Sequence, residues 1–197
     1  SSSLNIKPDS KILEIGSGDG QLMDYISNVT GCSSIVGCEL AFERLQYHHS
    51  HTPNTKLLQA DCKALPFRNE SFDMVIMSEV LHHVENRYHE KVLSEIKRVL
   101  RPDGMVWMLE PNKWHPLMIA AGLLLKADRL VFKFSLREVC QVLKDLGYKD
   151  IVVRPFNCYT YPSRKIYPDF LRRVVEKVED ALEHPVICTS YCIIAKA

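Results

Sequence analysis

Short apolar runs alternate with amphipathic stretches along most of this chain. The runs predict strands at 11–15, 34–39, 56–59, 72–77, 105–109, 151–154 and 190–195. Between them the apolar positions fall at helical spacing. Leu22, Ile26 and Val29 share one side of a helix that follows Gly20. Between Arg87 and Leu100, the residues Val92, Ile96, Val99 and Leu100 face one way and Lys91, Glu95 and Lys97 the other. That helix is expected to stop at the turn Arg101-Pro102-Asp103-Gly104. Ser135 and Glu138 have capping-box spacing, ahead of Val139, Val142, Leu143 and Leu146 and a stop at Gly147. A last helix, about 168–182, turns Leu171, Val174, Val175, Val178 and Leu182 inward. Strands alternating with helices predict a doubly wound, Rossmann-like α/β sheet. With no repeat, low-complexity tract or interior linker, residues 1–197 read as one domain.

Composition narrows the class of partner. A hydrophobic share of 46% and a charged share of 25% fit a soluble globular protein. Net charge is only +1, so no global field draws the chain to nucleic acid. The apolar run 117–125 is nine residues long, far short of the roughly 20 that a membrane span needs. It predicts a buried or lid-forming helix and is also compatible with shallow contact at a membrane surface. The seven cysteines (32, 38, 62, 140, 158, 188 and 192) are odd in number and form no Cys-x-x-Cys pair. Free thiols in a reducing, cytoplasmic compartment are expected. His48, His49 and His51 lack a partner at metal-site spacing and read as a solvated helix end, so no metal is predicted.

The chemistry is concentrated where predicted strands end. Ile12-Leu13-Glu14-Ile15 runs into Gly16-Ser17-Gly18-Asp19-Gly20 and then into a helix, the order that forms a nucleotide crevice. A dinucleotide fingerprint places its third glycine three residues after the second. Here Gly20 follows Gly18 by two, and Gln21 stands where Gly or Ala would be needed. The spacing points to a ligand without a pyrophosphate. Glu39 ends the second strand, where a carboxylate can accept both ribose hydroxyls of an adenosine. Asp61 ends the third strand, placed to meet an adenine amine, and His82 and His83 lie just beyond the fourth.

Together these stretches resemble the class I S-adenosylmethionine-dependent methyltransferases, in particular the type 11 small-molecule group that includes the UbiE-like enzymes. The resemblance rests on residues 14–20, Glu39, Asp61 with Ala64-Leu65-Pro66-Phe67, Phe72-Asp73 with Leu81-His82-His83-Val84, and 95–104. It covers about residues 10–112 and implies a mostly parallel seven-stranded sheet whose last strand is antiparallel. It further implies S-adenosyl-L-methionine as cofactor. Glu14 and the backbone of Gly16, Ser17, Gly18 and Gly20 would then hold the methionine part. Glu39 would hold the ribose, Leu40 would pack on the adenine, Asp61 and the Cys62 backbone would read its edge, and Ser78 would lie near the sulfonium. Glu39 stands where Asp is commoner in the family, which lengthens the reach without changing the chemistry.

Methyl transfer requires alignment of acceptor and methyl group and, for some acceptors, removal of a proton. His83 is the first candidate base, His82 the second and His115 the third, because imidazole titrates near neutrality. The alternative is that these histidines only brace the pocket, and Glu79 is expected to be structural, facing a helix end. The segment 110–116, with Trp114, is a candidate wall for the acceptor. Lid elements are expected near 111–134 and 157–168, the second mixing tyrosines with Arg164 and Lys165. No Asn/Asp-Pro-Pro-Tyr sequence follows the fourth strand, so a small-molecule acceptor is expected, oxygen slightly ahead of carbon or nitrogen. The run 117–125 hints that it is apolar or lipid-linked. Two rival readings remain: a catalytically silent scaffold that binds the same cofactor and works through a partner, and an NAD-dependent oxidoreductase.

Overall fold

A computed structural model describes residues 6–51, 55–115, 131–156, 188 and 190–197. The predicted helix at 168–182, the run 117–125, the rest of the first lid up to 130 and the whole second lid lie outside them.

Seven strands form one sheet in the order β3-β2-β1-β4-β5-β7-β6. In chain order these are β1 (Ile12–Ile15), β2 (Ile35–Glu39), β3 (Lys56–Gln59), β4 (Phe72–Ser78), β5 (Leu100–Pro111), β6 (Lys149–Phe156) and β7 (Ser190–Lys196). The strands β1 to β5 pair in parallel, and β7 runs antiparallel between β5 and β6. This is the expected Rossmann-like sheet. From β1 the chain winds outward through β2 and β3, then returns to lay β4 on the other side of β1. That reversal opens a crevice at the carboxyl ends of β1 and β4, where open α/β sheets bind ligands.

Alternation along β1 divides the core between the two sheet faces. Leu13 and Ile15 join Val75, Met77, Leu93, Ile96, Val139 and Leu143 under the helices α3 (His89–Val99) and α4 (Leu136–Asp145). Ile12 packs on the other face with Met23 and Ile26 of α1 (Gln21–Thr30). The same alternation puts Glu14 on the α1 face, where it is 3% exposed. The remaining long helix, α2 (Phe42–His51), follows β2. At the start of α4, the Ser135 hydroxyl accepts from the Glu138 N–H at 3.3 Å, as the capping-box spacing predicts.

One boundary differs from expectation. The strand expected at 105–109 begins at Leu100 and contains the Arg101–Gly104 turn as a bulge. Phe72 faces Leu100, and the next paired position, Met74, faces Met105. Asp103 takes a left-handed φ of 63°, and Arg101 pairs with Asp73 of β4. The Pro-Asp-Gly signal for a turn is obeyed, but cross-strand pairing continues on both sides of it.

A second device fixes the loop between β3 and β4. Arg98 on α3 donates to the carbonyls of Phe67 and Leu65 at 2.7 and 2.8 Å. Its partner Glu95 accepts from the Leu65 N–H at 2.9 Å. The Arg98–Glu95 hydrogen bonds hold the Glu95 carboxyl below the usual carboxylate range, against the opposing push of burial. A charged pair one helical turn apart thus clamps the backbone that follows Asp61.

Candidate cofactor and acceptor site

The glycine turn hangs from the end of β2. The N–H groups of Gly16 and Ser17 donate to the Cys38 carbonyl at 2.7 and 3.1 Å, and Gly18 N–H donates to Glu39 Oε2 at 3.1 Å. The other Glu39 oxygen accepts from the Leu40 and Ala41 N–H groups at 2.9 and 3.0 Å. Glu39 therefore organises the turn and the start of α2 while remaining half-buried at the sheet edge. Leu40 beside it is 62% exposed, an apolar side chain without cover. Gly16 has φ 72°, and a Cβ there would lie 2.3 Å from Val80 Cγ2. Only glycine lets the chain leaving β4 cross over the chain leaving β1.

Asp61 sits beyond β3 in the next position along the edge. Its Oδ1 accepts from the Lys63 N–H at 2.9 Å, and Lys63 Nζ lies 3.2 Å from its Oδ2. Burial raises its pKa, but the Lys63 backbone and side chain outweigh this and leave it lowered. Burial pushes the neighbouring Cys62 thiol up to about 11, so it is not a thiolate near neutrality. Ser78 closes the row as the last residue of β4. The fold thus brings Glu14, the turn 16–20, Glu39, Asp61 and Ser78 to one edge of the sheet.

Two polar atoms at this turn have no protein partner. Glu14 Oε2 and Ser17 Oγ are buried without a hydrogen bond. Burial, followed by the charges of Asp19, Asp24 and Glu39, pushes the Glu14 carboxyl up to about 8, against the pull of the Met23 N–H. A buried acid with one unpartnered oxygen, beside a glycine cradle, suits a ligand with a cationic amino-acid end, so these residues fit the cofactor that the sequence implies.

The three histidines are placed very differently. After β4, Glu79 adopts a left-handed φ of 58°, and Leu81–His83 form a single 3-10 turn. His83 is exposed on that turn, whereas His82 is 5% exposed. His82 Nδ1 lies 2.8 Å from Glu110 Oε2, and its ring lies against that of His83, tilted by 43° at a centroid distance of 4.0 Å. His115, after β5, is buried, and desolvation lowers its pKa. Its N–H donates to the Asn112 carbonyl at 2.9 Å, and the Asn112 amide donates to the Cys188 carbonyl at 2.9 Å. Trp114 next to it is 72% exposed.

Glu110 stands in the sequence only as the first residue of the candidate wall 110–116, with no role of its own. It is fully buried at the end of β5 and accepts from Leu81 N–H at 2.8 Å and His82 N–H at 3.1 Å, besides the imidazole. A carboxylate ending an apolar strand beside an edge histidine pair was the available signal. Glu79 Oε1 accepts from Ser190 Oγ of β7 at 3.3 Å. Among the described residues no three potential ligands gather for a metal ion, and no helix is long and apolar enough to cross a membrane.

Comparison with known proteins agrees with this geometry. A family described as "Methyltransferase domain" matches residues 13–108. Over 115 residues the chain is 31% identical to a ubiquinone/menaquinone biosynthesis C-methyltransferase, UbiE, of Hahella chejuensis, covering 55% of this chain and 45% of the relative. Over 122 residues it is 32% identical to a probable phthiotriol/phenolphthiotriol dimycocerosates methyltransferase of Mycobacterium ulcerans, covering 57% of this chain and 46% of that one. The chain therefore spans about half the length of these curated relatives. Its fold matches a Haemonchus contortus phosphoethanolamine N-methyltransferase 2 solved with S-adenosyl-L-methionine, at TM-score 0.69 and 17% identity, over 98% of this chain and 50% of that one.

Proposed function

Because residues 13–108 belong to the class I S-adenosylmethionine-dependent methyltransferases of type 11, we propose that this chain transfers a methyl group from S-adenosylmethionine to a small-molecule acceptor. One observation carries the reading: a glycine cradle, a buried acid with one unpartnered oxygen, a strand-end Glu and a strand-end Asp share one edge of the sheet. Glu14 and the backbone of 16–20 hold the amino-acid end, Glu39 takes the ribose hydroxyls, and Leu40 covers the adenine. Asp61 and the Cys62 N–H read the adenine edge, and Ser78 lies beside the reacting methyl. When bound, the cofactor supplies an electrophilic methyl on a sulfonium whose leaving group is a neutral thioether. The chain's own work is then to align the acceptor, exclude water and, where needed, take a proton.

We assign proton removal first to His83, which stands exposed at the rim of this edge, with His82 second. His82 has its Nδ1 engaged by Glu110. His115, whose pKa is lowered by burial, is the third candidate. An apolar or lipid-linked acceptor is favoured by the run 117–125 and by the named substrate of the Mycobacterium relative. An oxygen acceptor suits an imidazole base, while the name of the UbiE relative favours carbon as the alternative. Methyl-labelled cofactor, offered with metabolite, lipid and RNA fractions, tests the proposal. Label in a small lipid-soluble product supports it, and NMR of that product identifies the atom methylated. Cofactor bound with no label in any fraction would leave a silent scaffold, and label in RNA alone would overturn the small-molecule reading.

A further inference from the structure

Two buried carboxyls stand at this edge with opposite supplies of partners. Glu110 accepts from two backbone N–H groups within 3.1 Å and from an imidazole. Glu14 is buried to almost the same degree, but its Oε2 has no partner and Ser17 Oγ beside the turn has none either. Apart from the Met23 N–H, which favours the ionised form, the groups around Glu14 do not compensate. Asp19 in the turn, Asp24 on α1 and Glu39 at the end of β2 are acidic, and each disfavours a further negative charge. Cys38 of β2 is a thiol pushed up to about 12 by its burial. From β4, the register places Ile76 and Met77 alongside Glu14 and Ile15, and neither titrates. From α2, the Arg44 guanidinium lies by Gly18, with Nη1 3.5 Å from the position of a Cβ there. An acid enclosed in this way holds its proton until a cation arrives to replace it.

We propose that cofactor binding is proton-linked through Glu14: the carboxyl is neutral in the empty protein and releases its proton to solvent as the ligand's α-ammonium takes its place. The inference rests on the cofactor reading above and adds a selectivity to it. A nucleoside without the amino-acid end offers nothing to displace the proton. S-Adenosylhomocysteine, which keeps the ammonium, displaces it as the methyl donor does. Affinity for both amino-acid ligands then rises with pH below about 8, by up to about tenfold per pH unit, while the group is protonated when free and ionised when bound.

Titration calorimetry at about pH 6.5, in two buffers of different ionisation enthalpy, counts the protons. The expected result is close to one proton released per S-adenosylmethionine or S-adenosylhomocysteine bound, and none for 5′-methylthioadenosine. Glu14→Gln should bind without release and with an affinity flat between about pH 6 and 7. Infrared difference spectra of the unsubstituted chain provide a second readout that does not depend on the variant folding. Addition of cofactor should bleach the C=O stretch of a protonated carboxyl. Binding with no proton release, or equal release by Glu14→Gln, would overturn the proposal and leave the cofactor reading standing. No binding by the unsubstituted chain would overturn the cofactor reading itself and the proposal with it.

Discussion

His82 Nδ1 and Glu110 Oε2 lie 2.8 Å apart with both side chains buried, joining the turn after β4 to the end of β5. The same carboxylate accepts from the Leu81 and His82 backbone N–H groups, so one side chain sets both the turn and its imidazole. Glu110→Ala would leave those donors buried without an acceptor. The expected loss is about 3–5 kcal/mol, read by urea denaturation, with a smaller loss for Glu110→Gln.

The Glu14 carboxyl gives the empty protein a pH-dependent stability of predictable sign. Its pKa in the fold is raised from 4.5 to about 8, so between those values the folded chain holds a proton that the unfolded chain has lost. Stability should fall as pH rises through that window, because ionising the buried group is then required. Glu14→Gln should flatten that dependence in melting curves taken without cofactor. An unchanged slope would show that Glu14 titrates normally.

Gly16→Ala should cost stability twice over, through its left-handed φ of 72° and through the contact with Val80 at 2.3 Å. The expected total is about 2–4 kcal/mol. Val80→Ala in the same chain should recover the steric part only. A double-mutant cycle of denaturation midpoints separates the two, and strict additivity would exclude the contact.

Removing the Glu39 side chain should weaken S-adenosylmethionine binding by about 100-fold, the worth of two hydrogen bonds to a charged group. The variant also frees the Gly18, Leu40 and Ala41 N–H groups, so the turn itself loosens. Glu39→Asp keeps the charge and should retain most of the affinity. Calorimetry on the two variants provides the comparison.

With an oxygen acceptor in hand, His83→Ala should lower kcat by about 100-fold or more and leave the cofactor Kd unchanged. Full activity would remove His83 as the base and direct attention to His82 and His115. A fall in cofactor affinity instead would assign His83 to binding.

The order of elements was legible because β1, β2 and β4 are largely buried and mostly apolar, with few polar residues in each. The glycine spacing was legible because Gly16 and Gly18 need backbone conformations that other residues resist. What escaped reading depends on distant partners. Arg101-Pro102-Asp103-Gly104 is a turn in any context, and only the pairing of Phe72 with Leu100 makes it a bulge inside β5. Glu110 reads in the sequence only as part of the segment 110–116, and a carboxylate is seldom fully buried. Its burial follows from donors 28 and 29 residues earlier in the chain, which no local pattern announces. The three histidines were found together as chemistry, yet only the fold distinguishes exposed His83 from enclosed His82 and His115.

The four residues from Glu79 to His82 also bear on where this protein can be cut. Glu79 reaches Ser190, Val80 covers Gly16, and Leu81 with His82 is seated on Glu110. Two of those supports, Glu110 and Ser190, lie beyond the matched segment 13–108. A fragment trimmed to that segment would keep every donor-side motif and lose the props beneath the peptide that roofs its first glycine. The stretch that matches the family is thus smaller than the piece of polypeptide that holds this edge together.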